Sequence, residues 1–175
     1  MARNKIIPDA DILAIVLQKL LTEGDKAVSF GLIAAASGLA PPTLVQRYGS
    51  RDAMIAQALA AGWKSLETLT EASEAEALVS AKGAQGLLKD IGALVDVPAL
   101  LAASQRDKAL TDRAAAWRKT VESALAVRLG GGIKGRDAAA LIFAAWQGRM
   151  MWDAAGGKTF RLGEALRKLA DQRAI

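Results

Sequence analysis

Residues 28–52 read VSFGLIAAASGLAPPTLVQRYGSRD, and this stretch decides the fold of the N-terminal part of the chain. Ser29 stands where a side-chain oxygen can cap the first turn of a helix. Four residues then recur at the spacing of one helical face: Phe30, Ile33, Ala34 and Ser37. Gly38 follows, and glycine readily adopts the left-handed conformation that often ends a helix. The pattern predicts a short amphipathic helix that ends in a turn.

A second short helix is predicted over residues 42–48. The proline pair before it suits a helix start, because proline has no N–H group to leave unpaired there. At 100° per residue, Leu44 and Tyr48 share one face and are expected to be buried. The outward face then carries Pro42, Thr43, Val45 and Gln46, with Arg47 on its flank. Ser50 is expected to cap the next helix. Two short helices joined by a three-residue turn are typical of the helix-turn-helix that reads the DNA major groove.

Residues 12–59 resemble the DNA-binding domain of the TetR/AcrR family of bacterial transcriptional regulators. The matching positions are Ser29, Ile33-Ala34, Gly38, Thr43-Leu44, Tyr48 and Arg51. The chain departs from the family at Val45, where an aromatic residue that touches the DNA backbone is common. Arg51 stands where a lysine is more usual. The resemblance implies an N-terminal DNA-binding domain and a C-terminal domain that binds an inducer and dimerises.

Seven residues are predicted to contact DNA, and they are of two kinds. Ser29, Arg47 and Arg51 are expected to hold phosphates. The others are expected to meet base edges, by hydrogen bonds or by contact with thymine methyl groups: Pro42, Thr43, Val45 and Gln46. Because Arg51 would read only charge, Arg51→Ala is expected to weaken binding to all sequences alike. A two-fold dimer would bind a pseudo-palindromic operator with half-sites about 34 to 36 Å apart.

The composition favours helix throughout. The chain has 175 residues, of which 52% are hydrophobic, and alanine makes up much of that share. Alanine is the strongest helix former, so we expect an all-α fold of about nine helices. The predicted division is a helix-turn-helix domain over residues 1–50 and a regulatory and dimerisation domain over residues 51–175.

The chain contains no cysteine and no histidine. This excludes disulfides and thiolate metal sites, and it removes the commonest general base and metal ligand. We therefore expect no enzyme activity, no metal and no cofactor. No apolar run approaches the roughly 20 residues that span a bilayer, and the N-terminus lacks the apolar region of a signal peptide. A cytoplasmic location is expected.

The net charge of +5 suits a nucleic-acid partner, but basic and acidic side chains nearly balance within residues 1–60. Arg3, Asn4 and Lys5 have two open interpretations. They could contact phosphates or the minor groove, or they could form a frayed, solvated terminus.

The predicted helices outside the central stretch follow from apolar spacing. Asp9 is expected to cap the first helix, and Gly24 to end it. Helix 4 is expected from Ser50 to about residue 72, with Gly62 marking either a hinge or a close-packing site. Residues 73–86 are the predicted loose stretch, and residues 130–136 (GGGIKGR) a predicted loop. The remaining helices are predicted over about 87–95, 98–105, 107–129, 136–155 and 160–170.

The bulky side chains of the C-terminal part have two open interpretations. They could pack in the core, or they could line an apolar pocket. The resemblance implies an inducer held among helices 4 to 8, so the candidate ligand contacts are Trp63, Trp117, Phe143 and Trp146. The effector would be a small apolar or aromatic molecule, with Arg113 or Arg118 as its polar anchor.

Helix 8 is apolar on more than one face, and the resemblance implies that the last two helices form an isologous dimer. The predicted interface residues are Trp146, Gly148, Met151, Leu162, Leu166 and Leu169.

These patterns favour a homodimeric, ligand-responsive repressor that binds double-stranded DNA. The alternative is a TetR-like helical ligand-binding or interaction protein that no longer binds DNA. Val45 and the nearly neutral charge of residues 1–60 favour that alternative, and a salt-dependent gel shift would separate the two.

Overall fold

The computed structural model describes residues 7–75, 80–156, 161 and 163–164, and within these ranges the chain is all-helical without a strand. The α-helices in chain order are α1 (Asp9–Glu23), α2 (Phe30–Ser37), α3 (Pro41–Tyr48), α4 (Arg51–Ala75), α5 (Ala81–Leu94), α6 (Val97–Ser104), α7 (Lys108–Arg128) and α8 (Gly132–Trp152). Single 3₁₀ turns lie at Asp25–Ala27 and Asp153–Ala155. The all-α prediction is confirmed. The helix predicted over residues 160–170 lies almost entirely outside the described residues.

The local signals around α2 and α3 act as the sequence predicts. The Ser29 hydroxyl oxygen accepts the N–H of Leu32 at 3.2 Å, and Gly38 has a left-handed φ of 75°. The Ser50 hydroxyl oxygen accepts the N–H of Ala53 at 3.1 Å at the start of α4. These bonds satisfy N–H groups that have no partner within the helix. The connection between α2 and α3 is three residues long, as expected.

One predicted cap is wrong. The residue that precedes α1 is Pro8, and Asp9 is the first residue of the helix, with no side-chain hydrogen bond to the helix start. The Asp9 carboxylate instead accepts hydrogen bonds from the side chains of Arg47 and Tyr48. A carboxylate in the first turn still interacts favourably with the helix dipole.

Four predicted boundaries are also wrong. The structure shows α4 continuing to Ala75, and α5 beginning at Ala81 rather than near residue 87. The reason is a cap inside the predicted loose stretch, because the Ser80 hydroxyl accepts the N–H of Gly83 at 3.1 Å. The glycine run forms only a tight link, since α8 begins at Gly132 and ends at Trp152. Gly130 and Gly131 turn the chain with positive φ angles of 93° and 69°.

The helices pack around two apolar cores. One core, which we call the head core, joins α1 to α3 with the first turns of α4: Ile12, Val16, Val28, Ile33, Ala34, Leu44, Tyr48, Met54 and Ala58. The second, the body core, includes residues from the rest of α4 and from α5 to α8, among them Trp63, Leu88, Leu100, Leu125 and Ile142. Leu17, Leu20 and Ile55 pack against both cores. We call residues 7–58 the head and the described residues after them the body. Because α4 contributes to both, it carries the head on the body.

The crossing of α1, α4 and α6 is closely packed at Gly62. A Cβ atom at this position would lie 2.9 Å from Leu17 Cδ2 and 3.3 Å from Leu100 Cδ1. Those distances are shorter than ordinary van der Waals contact between carbon atoms. The structure therefore supports the close-packing interpretation of Gly62.

Two arginines of α7 form hydrogen bonds with α4. Arg113 donates from Nε and Nη2 to the two carboxylate oxygens of Glu67, both at 2.6 Å. This hydrogen bonding lowers the pKa of Glu67 and raises that of Arg113. Arg128 is only 5% exposed and donates to the carbonyls of Ala124 at 2.9 Å and Ser73 at 2.6 Å. The body thus holds the long helix at several points.

Candidate nucleic-acid interface

Helix α3 has one buried face and one exposed face. Leu44 and Tyr48 are buried in the head core, as predicted. Pro42, Val45 and Gln46 are exposed on the other side, and Val45 keeps 45% of its surface accessible. Thr43 is half-buried. An eight-residue helix is too short to persist alone, so packing of its inner face holds it in place and leaves the outer face accessible.

Exposed uncharged side chains occur on α2 as well as on α3. We call them together the α2–α3 surface: Leu32, Ala35, Pro41, Pro42, Val45 and Gln46. Leu32 is 49% accessible. No charged residue occurs within residues 27–46. The sequence did not lead us to include Leu32 among the site residues. Its position off the predicted inward stripe of α2 was the signal that it is exposed.

Ser29 lies at the start of α2, next to this surface. Its oxygen accepts the N–H of Leu32, and a hydroxyl that accepts one bond can still donate another. The start of a helix also favours an anion, because the helix dipole is positive there. The position of Ser29 is therefore compatible with its predicted phosphate contact.

Arg47 is turned toward the N-terminal end of α1. Its Nη1 donates to the Ile7 carbonyl at 2.8 Å and to the Asp9 carboxylate at 3.2 Å. The Tyr48 hydroxyl donates to the same carboxylate at 3.1 Å. Burial, followed by this hydrogen bond to Asp9, raises the pKa of Tyr48 from 10.0 to about 12. The pair holds α3 against α1.

Arg51 is bonded to the loop between α1 and α2. Its Nε donates to the Val28 carbonyl, and its Nη2 donates to the Asp25 carbonyl at 2.6 Å. The carboxylates of Asp25 and Asp52 lie 2.8 and 3.3 Å from the guanidinium nitrogens. The phosphate contacts of Arg47 and Arg51 stay predictions, and in this structure both guanidinium groups have partners within the chain. No sequence pattern indicated the bond between Arg51 and Val28.

Acidic side chains accompany most basic side chains of the head. Asp9, Asp25 and Asp52 lie beside the two arginines, and Lys19 is 3.0 Å from Glu23. Among residues 7–58, Lys26 is the one basic residue for which the structure shows no ion pair. The head therefore carries few uncompensated charges among residues 7–58.

Comparisons with family models and with curated proteins found no match to this chain. The function is therefore inferred from the geometry of the helices and the chemistry of their exposed side chains.

The four predicted ligand contacts lie together in the body core as a chain of aromatic rings. Ring centroids are 5.7 Å apart for Trp63 and Trp117, 6.0 Å for Trp117 and Phe143, and 5.7 Å for Phe143 and Trp146. The indole N–H groups of Trp63 and Trp117 donate to the hydroxyls of Ser104 at 3.0 Å and Thr70 at 3.1 Å. These rings support the packing of the body, and the indole N–H groups of Trp63 and Trp117 are already satisfied.

A pocket of about 300 Å³ opens beside this aromatic chain. Trp63, Trp117 and Phe143 contribute to its lining, and Arg118 lies at the same pocket. The Arg118 guanidinium carbon is 5.9 Å from the centroid of the Phe143 ring. Trp146 lines a different crevice, and Arg113 is bonded to Glu67. The volume is at the small end of the range for ligand pockets.

The predicted dimer residues are only partly brought together. Met151 is exposed, and a Cβ added at Gly148 would point into open space. Trp146 is buried in the body core. Leu162, Leu166 and Leu169 lie outside the described residues. Further apolar side chains are exposed on α8: Ile133, Leu141 and Trp152. Leu141, Gly148 and Trp152 follow helical spacing and share one face.

Proposed function

We propose that the protein is a TetR-like transcriptional regulator that binds double-stranded DNA as a homodimer and acts as a ligand-responsive repressor. The observation that carries the proposal is the orientation of α3. It buries Leu44 and Tyr48 and exposes Pro42, Val45 and Gln46 immediately after a three-residue turn from α2. This arrangement suits a recognition helix, which needs an exposed face that can enter the major groove.

The exposed side chains have suitable chemistry for base edges. Gln46 can make two hydrogen bonds with adenine, and the methyl groups of Val45 can contact a thymine methyl group. Thr43 can donate or accept from its half-buried position. Ser29 lies at the start of α2, where it could approach a phosphate. Arg47 and Arg51 would have to leave their partners within the chain to do the same.

The body supports the remaining parts of the proposal. The exposed apolar face of α8 suits an isologous contact with a second copy of the chain. The pocket near Trp117 and Arg118 suits a small apolar or aromatic effector. An effector that prefers one arrangement of the body would shift the position of α4 and thereby of the head. Such a regulator acts in the cytoplasm and needs no catalytic residue, metal or cofactor. None of the helices that the structure describes is sufficiently long and apolar to cross a membrane.

The proposal is tested by selecting bound sequences from a pool of random DNA duplexes and measuring affinity for the selected site. Gln46→Ala is expected to reduce the preference at one base pair per half-site by about 1 to 3 kcal/mol. Gln18→Ala is the matched control, because Gln18 is exposed on α1 away from α3, and it should leave the preference unchanged. Failure of the wild-type protein to retain any duplex at low salt would contradict the proposal. So would equal behaviour of the two variants.

A second candidate is a helical ligand-binding or interaction protein that does not bind DNA. One observation favours it: Arg47 in α3 and Arg51 at the start of α4 are both paired with carboxylates, and the exposed face of α3 before them is uncharged. This protein would form a dimer and bind an apolar ligand, yet its mobility in a gel would not change with added duplex. Retention of a selected duplex by the wild-type chain would exclude it.

A further inference from the structure

We propose that the α2–α3 surface recognises its operator mainly through thymine methyl groups, with few ion pairs to DNA phosphates. This inference rests on the proposed function and adds the kind of site that the head selects. It predicts half-sites in which A·T pairs face α3 and a binding affinity that depends only weakly on salt.

The apolar part of the argument comes from the exposed side chains. The thymine methyl is the apolar group that a base pair presents in the major groove. Val45, Pro42 and Leu32 are exposed on the α2–α3 surface, and none of them can form a side-chain hydrogen bond. Gln46 is the exposed amide on α3, and an amide pairs best with adenine. Both contacts therefore favour A·T pairs.

The charge part of the argument comes from the bonds of the two arginines. If Arg51 turned outward to a phosphate, the carbonyl of the buried residue Val28 would lose its side-chain donor. The carboxylates of Asp25 and Asp52 would then lie near DNA without a compensating cation. Arg47 is held in the same way by Ile7 and Asp9. We expect both arginines to keep these bonds in the complex. Lys26 is then the basic residue of 7–58 for which the described structure shows no ion pair.

The methyl contacts are tested by replacing thymine with uracil, which removes only the 5-methyl group. In the site selected from random duplexes, at least one replacement per half-site is expected to weaken binding by about threefold to tenfold, as expected for removal of one buried methyl group. Val45→Ala should bind the thymine and uracil sites about equally at that position. Val127→Ala is the matched control, because Val127 is an exposed valine on α7 in the body, and it should retain the full sensitivity.

The charge contacts are tested by the dependence of affinity on salt. In an Arg3→Ala/Lys5→Ala variant, one Lys26 per head gives two cations in a dimer, so log affinity should fall against log salt with a slope of about −2. If Arg47 and Arg51 also bound phosphates, the dimer would use six cations and the slope would be about −5. A slope shallower than about −3.5 supports the inference, and a steeper slope overturns it.

The possible failures are distinguishable. If no duplex is selected at low salt, the proposed regulator function itself fails. If a duplex is selected but no uracil replacement weakens binding, or if Val45→Ala stays as sensitive as the wild type, methyl recognition is overturned while the regulator function stands.

Discussion

Arg51→Ala is expected to destabilise the head. In the structure, the Arg51 guanidinium bonds two backbone carbonyls and lies beside two carboxylates. Val28 is buried, so its carbonyl would lose this donor where water has little access, and leaving such a group unpaired costs about 1 to 3 kcal/mol. The exposed ion pairs with Asp25 and Asp52 add at most about 1 kcal/mol. The two contributions total about 1 to 4 kcal/mol. Each kcal/mol lowers the melting temperature by roughly 2 to 4 °C for a chain of this size.

Urea and thermal unfolding followed by circular dichroism would measure this loss. Lys26→Ala is the matched control, because it removes the same charge from the head at a residue with no ion pair in the structure. It should change the free energy of unfolding by less than about 0.5 kcal/mol. If Arg51→Ala is as stable as Lys26→Ala and reduces the salt slope of DNA binding by about 1, Arg51 is a phosphate contact, and the reasoning from its internal bonds is refuted.

Three further outcomes are expected. The pKa of Tyr48 is raised to about 12, so the stability that its neutral form gives below pH 10 is lost as the pH rises toward 12. At pH 11 the loss is about 1.4 kcal/mol, and Tyr48→Phe should lack it in urea unfolding. The lowered pKa of Glu67 gives stability above its ordinary pKa that is lost in acid. Glu67→Gln should therefore be less stable than the wild type by about 1 to 2 kcal/mol at pH 7. Between pH 5 and pH 3 the variant should lose less stability than the wild type loses. An unchanged acid profile would contradict the pairing. Met151→Glu should weaken self-association in sedimentation at least about tenfold, whereas Leu94→Glu, at an exposed leucine on α5, should not.

The α2–α3 region could be predicted from sequence because its signals are local. Ser29, Gly38 and the proline pair determine where the helices begin and end within a few residues. Leu44 and Tyr48 are related by helical spacing, so their shared burial follows from geometry alone. The structure agrees with the prediction at each of these positions.

The partners of Arg47 and Arg51 could not be predicted in the same way. Asp9 is 38 residues from Arg47, and Val28 is 23 residues from Arg51. Pairs so far apart in sequence meet only when the helices have packed, and no periodicity relates them. The sequence pattern therefore predicts that these two arginines lie near DNA. Their hydrogen bonds within the chain depend on tertiary structure.

Composition also gave wrong helix boundaries where a capping residue or a turn mattered more. Residues 81–86 lie in α5 despite their glycines, because Ser80 caps the helix and Ala84, Leu87 and Leu88 are buried on one face. The α7–α8 link is short because consecutive glycines adopt positive φ angles that reverse the chain in few residues. In both places a local cap or turn decides where the next helix begins.

The unbroken course of α4 through both cores couples the orientation of the head to helix register. The inner contacts of the head include Met54 and Ala58, and those of the body begin at Leu59 and Trp63 on the same helix. Inserting one residue between these sets would rotate the head by about 100° around the helix axis and displace it by about 1.5 Å. A chimera that transplants this head onto another scaffold therefore has to preserve the phase of the splice, whatever the amino acids at the junction.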